Sequence, residues 1–314
     1  MVAPLASVVV PSLNGANLLP ECLDSLAAQT YAPLEVIVAD GASTDGTQAL
    51  LERYPAVRLL RLQRNRGFSG NVNAGLRAAR GEVLCLLNND AQADADWVAA
   101  CVEALEGRPG LGSVASKVLF SDRRTLNSAG DVLCRNGSAR QRGVSQPDGP
   151  AWNTPGPVFG AMGGAAAYRR AMLADVGLFD EVFFMYLEDV DLAFRAQLRG
   201  WSCWYEPAAR AYHRGSATGG GPLASFYNER NLIRLLAKDL PSGLLRSMLP
   251  GIVRYQLARS GAAIQAWRGV AARATLRGQL MGLAELPFHL AARPAVQRRR
   301  RLDDAAVYAL LEPA

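Results

Sequence analysis

The chain has 314 residues, half of them hydrophobic and a fifth charged, with a formal net charge of +6. That length and balance fit a globular chain with one large α/β domain and an appendage, or two small domains. No uncharged apolar run approaches bilayer-spanning length, and five scattered cysteines (22, 85, 101, 134 and 203) speak for reduced core thiols in the cytosol and against a disulfide framework or a zinc site.

The charge-free start, Met1 to Pro20, is broken by Pro11, Asn14 and Gly15, so it reads as strand and loop and not as a signal peptide. Ser7 to Pro11, Leu34 to Ala39 and Val83 to Leu87 are apolar runs of strand length. Helical patterns separate them over Leu18 to Gln29, Thr44 to Arg53 and Gly70 to Arg80. Strands alternating with such helices predict right-handed βαβ crossovers and a parallel sheet, whose ligands sit beyond the carboxyl ends of the strands. From about 110 to 156 the composition predicts long loops and short strands, with helices following over Arg170 to Val176 and Asp189 to Arg199 and a strand over Trp201 to Glu206. Gly215 to Pro222 is the best candidate for a flexible segment. The remainder reads as helical, arginine-rich and punctuated at Pro241, Pro250, Pro287 and Pro294.

Charge is unevenly spread. From Leu223 onward there are 14 Arg or Lys against 6 Asp or Glu, while the first 222 residues carry 20 basic and 22 acidic groups. The tail is therefore where an anionic partner would act.

Three segments carry polar residues where a ligand would lie. Asp40-Gly41-Ala42-Ser43-Thr44-Asp45-Gly46 follows a strand, and reads either as a helix-capping turn or as a site where Asp40 accepts an imide N–H from a pyrimidine. Asn65 to Gly75 is a glycine-punctuated loop entering a helix, suited to close approach of a ribose or diphosphate, or else a wide surface loop. Leu86-Leu87-Asn88-Asn89-Asp90 puts a carboxylate past an apolar strand, where it forms a turn or binds a hard cation bridging two phosphate oxygens. Asp94 and Asp96 read as helix starters before Trp97. Three acids within four residues, Glu188, Asp189 and Asp191, follow the aromatic run Phe183 to Tyr186. On their own they fit a helix start favoured by its dipole as well as they fit a proton-accepting site. Arg195, four residues after Asp191, offers that acid a helical ion pair.

Together these segments, with Val8 to Pro11 and Phe179-Asp180-Glu181, resemble the inverting family 2 glycosyltransferases of GT-A nucleotide-diphospho-sugar transferase fold, over roughly residues 5 to 240. The asparagine-glycine loop and the Leu-Leu-Asn-x-Asp form are most similar to rhamnosyltransferase-type members. The resemblance implies a mainly parallel Rossmann-like sheet flanked by helices, with a catalytic domain over 1–222 and a basic helical region over 223–314. The nucleotide half would end near 115 and the acceptor half run over 116–222. It also implies a UDP- or dTDP-sugar donor, plausibly of rhamnose, a glycan or lipid-linked acceptor, and Mg²⁺ or Mn²⁺.

By the same resemblance Asp189 is the general base, with Glu188 and Asp191 as further catalytic or acceptor-orienting groups. Asp90 and His213 are metal ligands, with neutral Asn88 standing where many relatives have a carboxylate. The donor would meet Pro11, Ser12, Asn14, Asp40, Asn65, Gly67, Phe68, Gly70, Asn73, Asn88, Asn89 and Arg230, the last once a loop after His213 closes. Gly163, Gly164 and Glu188 would face the acceptor. A sugar nucleotidyltransferase shares the fold but needs a basic triphosphate loop, and Pro11 to Leu19 has no Lys or Arg. A catalytically silent glycan-binding subunit is favoured only by Asn88. The tail, with Trp267 and Met281 among arginines, suits an interfacial helix on an anionic membrane or a homo-oligomer contact equally, and its run Arg298 to Arg301 lacks the aromatic interleaving of a nucleic-acid platform. The expected location is cytoplasmic, or peripheral on the inner face of the cell membrane.

Overall fold

The computed structural model describes residues 3–215 and 220–313. The segment expected to be flexible therefore lies in large part outside the described residues. The first half alternates strand and helix: β1 (Ala6–Ser12), α1 (Leu19–Ala27), β2 (Leu34–Asp40), α2 (Thr47–Leu51), β3 (Val57–Arg61), α3 (Gly67–Ala78) and β4 (Val83–Leu87). The second half continues with β5 (Ala91–Ala93), α4 (Trp97–Glu106), β6 (Leu111–Phe120), β7 (Leu126–Ser128), β8 (Asp131–Leu133), β9 (Ala139–Gln141), β10 (Gly156–Val158) and β11 (Ala165–Arg169). After α5 (Arg170–Val176), α6 (Glu188–Leu198) and β12 (Ser202–His213) come five helices. These are α7 (Gly221–Asp239), α8 (Ser242–Gln265), α9 (Val270–Ala284), α10 (Leu286–Gln297) and α11 (Asp304–Leu310).

The main sheet runs β10-β12-β6-β11-β4-β1-β2-β3. Strands β1, β2, β3 and β4 are parallel, with β1 central because all seven of its residues are buried. The chain winds outward from β1 through β2 to β3, then crosses back by α3 to β4 on the other side of β1. That reversal opens a crevice beyond the carboxyl ends of β1 and β4, where α/β sheets bind ligands. Antiparallel β11 joins β4 to β6, and parallel pairing of β6 with β12 extends the sheet.

Two expectations are corrected. The region after Gly110 contains a ten-residue strand, β6, whose burial is almost complete. Its Ser113, Ser116 and Lys117 read as loop residues, yet they are buried, and Lys117 Nζ is held by Asn153 Oδ1 at 2.7 Å and Asp148 at 2.6 Å. Pro250 and Pro294 do not punctuate the tail but lie inside α8 and α10, whereas Pro241 and Pro287 do stand at helix starts.

Helix α7 is not a detached appendage. Leu232, Leu235 and Leu236 pack in one core with Phe183, Val190, Phe194 and Leu198 around α6, so the acidic helix and the start of the basic region share their burial. Helices α8 and α9 differ in character. Residues 242–284 hold six arginines and no acid, and Leu257, Ile264, Trp267, Leu280 and Leu283 are each more than half exposed. None of the described helices is long and apolar enough to cross a membrane.

Candidate active site

The crevice contains two adjoining cavities of about 460 and 320 Å³, which share Phe68, Asn88 and Met185. The larger is lined by Asp90, Gly163, Gly164, Glu188, Asp189 and His213. The smaller is lined by Pro11, Ser12, Asn14, Asn65, Gly67 and Asn89. Loop ends of β1 and β4 and the start of α3 are thus gathered with the acidic segment in the size range of small-molecule sites.

Strand pairing brings His213 to Asp90. In the β12–β5 ladder His213 lies opposite Ala91, and Arg214 N–H donates to the Asp90 carbonyl at 3.0 Å. His213 Nε2 stands 3.0 Å from Asp90 Oδ1 and 3.3 Å from Asn88 Nδ2, while Nδ1 lies 2.8 Å from Asn127 Oδ1. An amide oxygen only accepts, so Nδ1 carries a proton, and Nε2 faces a carboxylate. A second ring proton or a bound cation can join Nε2 to that carboxylate. Buried Asn88 Oδ1 and Asp90 Oδ1 also lack hydrogen-bond partners. Among the described residues no group of three or more His, Cys, Asp and Glu side chains could hold a metal. A carboxylate and an imidazole form a mixed oxygen–nitrogen pair that suits a divalent transition ion better than a purely oxygen-seeking one.

Across the cleft, Asp189 is held by the Gly163 N–H, which donates to Oδ2 at 2.9 Å, and by its neighbour Val190 N–H, which donates to Oδ1 at 2.8 Å. Gly163 faces Phe68 and the Asp189 side chain closely, so a side chain there would crowd the site. Burial raises the Asp189 carboxyl above the ordinary aspartate range despite these two bonds. Glu188 is buried with Oε2 unpartnered, and burial followed by the charge of Asp189 pushes it well above the glutamate range. A third carboxyl, Asp131, is 1% exposed with both oxygens unpartnered, and is likewise driven well up by burial and then by Asp189.

The acidic helix begins from an unusual backbone. Phe184, Tyr186 and Leu187 have φ of 64°, 68° and 65°, a left-handed region costly for such side chains. Buried Asn231 of α7 holds this turn, its Nδ2 donating to the carbonyls of Phe183 at 2.9 Å, Met185 at 2.9 Å and Tyr186 at 2.8 Å. Gly67 is required opposite it, because a Cβ there would collide with the Phe184 carbonyl.

Several expected site residues are turned elsewhere. Asp191 is wholly buried on the far side of α6, paired with Arg195 Nε at 2.8 Å and with Lys238, so it cannot reach an acceptor. Arg230 does not point at the cleft: it donates to the Val182 carbonyl at 3.0 Å and pairs with Glu285 at 2.9 Å. Asn73 clamps α3 to the acidic segment, exchanging hydrogen bonds of 2.8 and 3.0 Å with the Phe179 backbone. Gly70 packs against Arg66. Asp40, 1% exposed and opposite Ser12 in register, uses Oδ1 to accept from Ser43 N–H at 3.1 Å and from the Ser43 hydroxyl, the turn-forming alternative. Buried His289 accepts from Arg234 at Nδ1, and burial and that cation lower it to about 4.

The family model for glycosyl transferase family 2 matches residues 7–177. The chain is 32% identical over 262 residues to N-acetylglucosaminyl-diphospho-decaprenol L-rhamnosyltransferase of Mycobacterium tuberculosis, covering 75% of this chain and 85% of that protein. It is also 32% identical over 230 residues to the O-antigen biosynthesis protein RfbC of Myxococcus xanthus, covering 68% of this chain but 18% of that protein. Its fold is similar to that of the mannosyltransferase PcManGT from Pyrobaculum calidifontis in complex with GDP-Man and Mn²⁺, with a TM-score of 0.59 at 22% identity, over 99% of this chain and 84% of that one. The S. aureus TarS 1–349 complex with UDP-GlcNAc aligns with a TM-score of 0.55 at 18% identity, over 98% and 83% of the two chains.

Proposed function

The chain belongs to glycosyl transferase family 2, and from that premise we propose that it moves a hexosyl group, rhamnose by likeness to its mycobacterial relative, from a nucleotide-diphospho-sugar to a hydroxyl of a lipid-linked glycan. The observation that carries this reading is the placing of an anchored carboxylate, Asp189, in one cavity with the Asp90–His213 pair.

The nucleotide occupies the smaller cavity between Ser12, Asn14 and Asn65, with the diphosphate toward Asn88. Asp90 and His213 would hold a divalent cation, Mg²⁺ or Mn²⁺, which would offset the charge gathering on the diphosphate. Asn127 keeps His213 in the tautomer that leaves Nε2 free.

Asp189 accepts the acceptor's hydroxyl proton as the oxygen forms its bond to the anomeric carbon. The bond from that carbon to the diphosphate oxygen breaks on the opposite face, so the configuration inverts and a nucleoside diphosphate leaves. Burial suits Asp189 to this task by raising its proton affinity, and the Gly163 N–H fixes which oxygen is free. Glu188, whose proton affinity burial raises, lines the same cavity and orients the acceptor.

The acceptor's lipid would bring the enzyme to an anionic cytoplasmic leaflet. The acid-free α8–α9 pair, with arginines among exposed Leu257, Ile264 and Trp267, supports such peripheral binding.

The test is a panel of nucleotide-sugars assayed with Mn²⁺ and Mg²⁺ for nucleoside diphosphate release and transfer to lipid-linked glycans. One donor should be turned over, and Asp189→Asn should lose about 10²–10⁴-fold in kcat with the donor still bound. Full transfer by Asp189→Asn would remove Asp189 from the role of base.

A further inference from the structure

A second concavity lies outside the catalytic cleft, between the first turns of α7 and the start of α9. Its volume is about 740 Å³, and its walls include Leu223, Phe226 and Tyr227 from α7 and Val270, Arg273 and Arg277 from α9. Leu223 and Val270 are 44% and 60% exposed, so the groove presents an apolar floor to solvent. Arg273 donates to the Trp267 and Arg268 carbonyls at the α8–α9 turn, and Arg277 has no ion pair or side-chain hydrogen bond among the described residues. Both guanidiniums stand in a helix pair without a single carboxylate.

The groove meets the cleft at one shared residue and is divided from it elsewhere by one stacked wall. Leu223 lines both this groove and the smaller catalytic cavity. Tyr227 stacks on Phe184, a lining residue of that cavity, with ring centroids 5.5 Å apart, while the next residue, Asn228, lines the cavity that holds Asp189. On its far wall Arg273 donates to the carbonyl of Trp267, a residue 60% exposed beyond the groove.

An apolar trough with two guanidiniums that have no carboxylate partner among the described residues, beside a sugar-transfer site, matches a molecule that is alkyl at one end, doubly anionic in the middle and sugar at the other. We propose that this groove binds the lipid-diphosphate portion of the acceptor. The chain of the lipid lies along Leu223, Phe226 and Val270, the diphosphate meets Arg273 and Arg277, and the attached sugar passes the Tyr227–Asn228 wall toward Asp189. Guanidinium forks bind diphosphate oxygens by charge-assisted hydrogen bonds. The inference rests on the lipid-linked acceptor proposed above and names where that acceptor is held.

The test compares two acceptors in detergent: N-acetylglucosaminyl diphosphate on a short isoprenyl chain, and the alkyl glycoside of the same sugar without phosphate. Arg277→Gln and the Arg273→Gln/Arg277→Gln pair should raise KM for the diphosphate acceptor about tenfold or more. Their kcat, and their kinetics on the alkyl glycoside, should not change. Arg246→Gln/Arg254→Gln, on the same helix pair but outside the groove, should leave both KM values alone while weakening flotation with anionic vesicles. An unchanged KM in the groove variants, or an equal rise in the Arg246/Arg254 variant, overturns the groove as acceptor site. If wild-type enzyme transfers to no lipid diphosphate yet glycosylates a soluble acceptor, the lipid-linked acceptor itself is wrong, a result distinct from the failure of the groove.

Discussion

Asn231 donates from Nδ2 to the Tyr186 carbonyl at 2.8 Å, and through that bond helix α7 holds the backbone from which the acidic helix starts. The same amide reaches the Phe183 and Met185 carbonyls, so one buried side chain pins a turn with three left-handed residues. Asn231→Leu has similar volume and no donor. It would leave buried carbonyls without partners and free the turn to relax, costing about 3 kcal/mol in all. Thermal melting should fall by several degrees, and kcat should drop tenfold or more with donor affinity retained. A wild-type kcat at wild-type melting temperature would show that the turn holds itself.

That contact also marks where sequence reasoning stops. Arg230 and Asn231 are adjacent, but successive helical residues point about 100° apart, so Arg230 reaches only the Val182 carbonyl of this segment while Asn231 spans the carbonyls of Phe183, Met185 and Tyr186. The charge drew attention to Arg230, which instead pairs with Glu285. Asp191 similarly looked like a site acid because charge clusters at surfaces and clefts, and only the fold supplies buried Lys238 to neutralise it. The central strands were legible since β1, β2 and β4 are apolar runs between helices. Edge strand β3, Val57–Arg61, was hidden by its two arginines, and β6 by polar residues that find partners only in the folded sheet. Asn127 and Asp131 fell in that same unreadable region. Their positions come from the pairing of β7 with β6 and of β8 with β9, which no local pattern announces.

The metal pair predicts a graded response. Chelation with EDTA should abolish transfer. His213→Ala removes one protein ligand and should raise the Mn²⁺ concentration needed for half-maximal activity tenfold or more. Asn127→Leu leaves both ligands but releases Nδ1, and outer-shell partners of this kind contribute about 10–100-fold in affinity. Titrating Mn²⁺ against nucleoside diphosphate binding reads both effects without turnover. Unaltered Mn²⁺ binding in Asn127→Leu would mean that the tautomer is set otherwise.

The pH profile should carry the mark of three crowded carboxyls. Burial raises Asp189, Glu188 and Asp131 alike, so the acid limb of kcat/KM should lie above the aspartate value of about 3.9. That limb belongs to the cluster and not to a single residue. A neighbouring negative charge disfavours ionisation, so Asp131→Asn should move the acid limb to lower pH, by about half a unit or more. Movement to higher pH would reverse the sign and exclude Asp131 as a source of repulsion.

Behind the cleft a buried ion cluster joins α6 to α7, and its pH dependence follows from the same rules. Asp191 faces Lys238, Arg195 and Asp239, while Asp180 receives Arg234 at 2.6 Å and Lys238 at 2.8 Å. Burial works to raise both acids, but Lys238 leads the cations that bring them below the aspartate range. Such acids stabilise the fold fully above the unfolded value of about 3.9, and that contribution is lost as pH falls through their lower folded values. Lys238 is raised by Asp191, Asp239 and Asp180 against its own burial, so its contribution persists until pH rises past the ordinary lysine range. Asp239, pushed up by burial, opposes the trend above the aspartate range. Lys238→Met would strand the acids and cost about 3–5 kcal/mol at neutral pH. Its melting temperature should fall well below wild type at pH 7 and converge toward it as pH drops below about 4, where the acids protonate. A constant difference between the two proteins from pH 7 to pH 3 would show that the lysine acts through packing and not through charge.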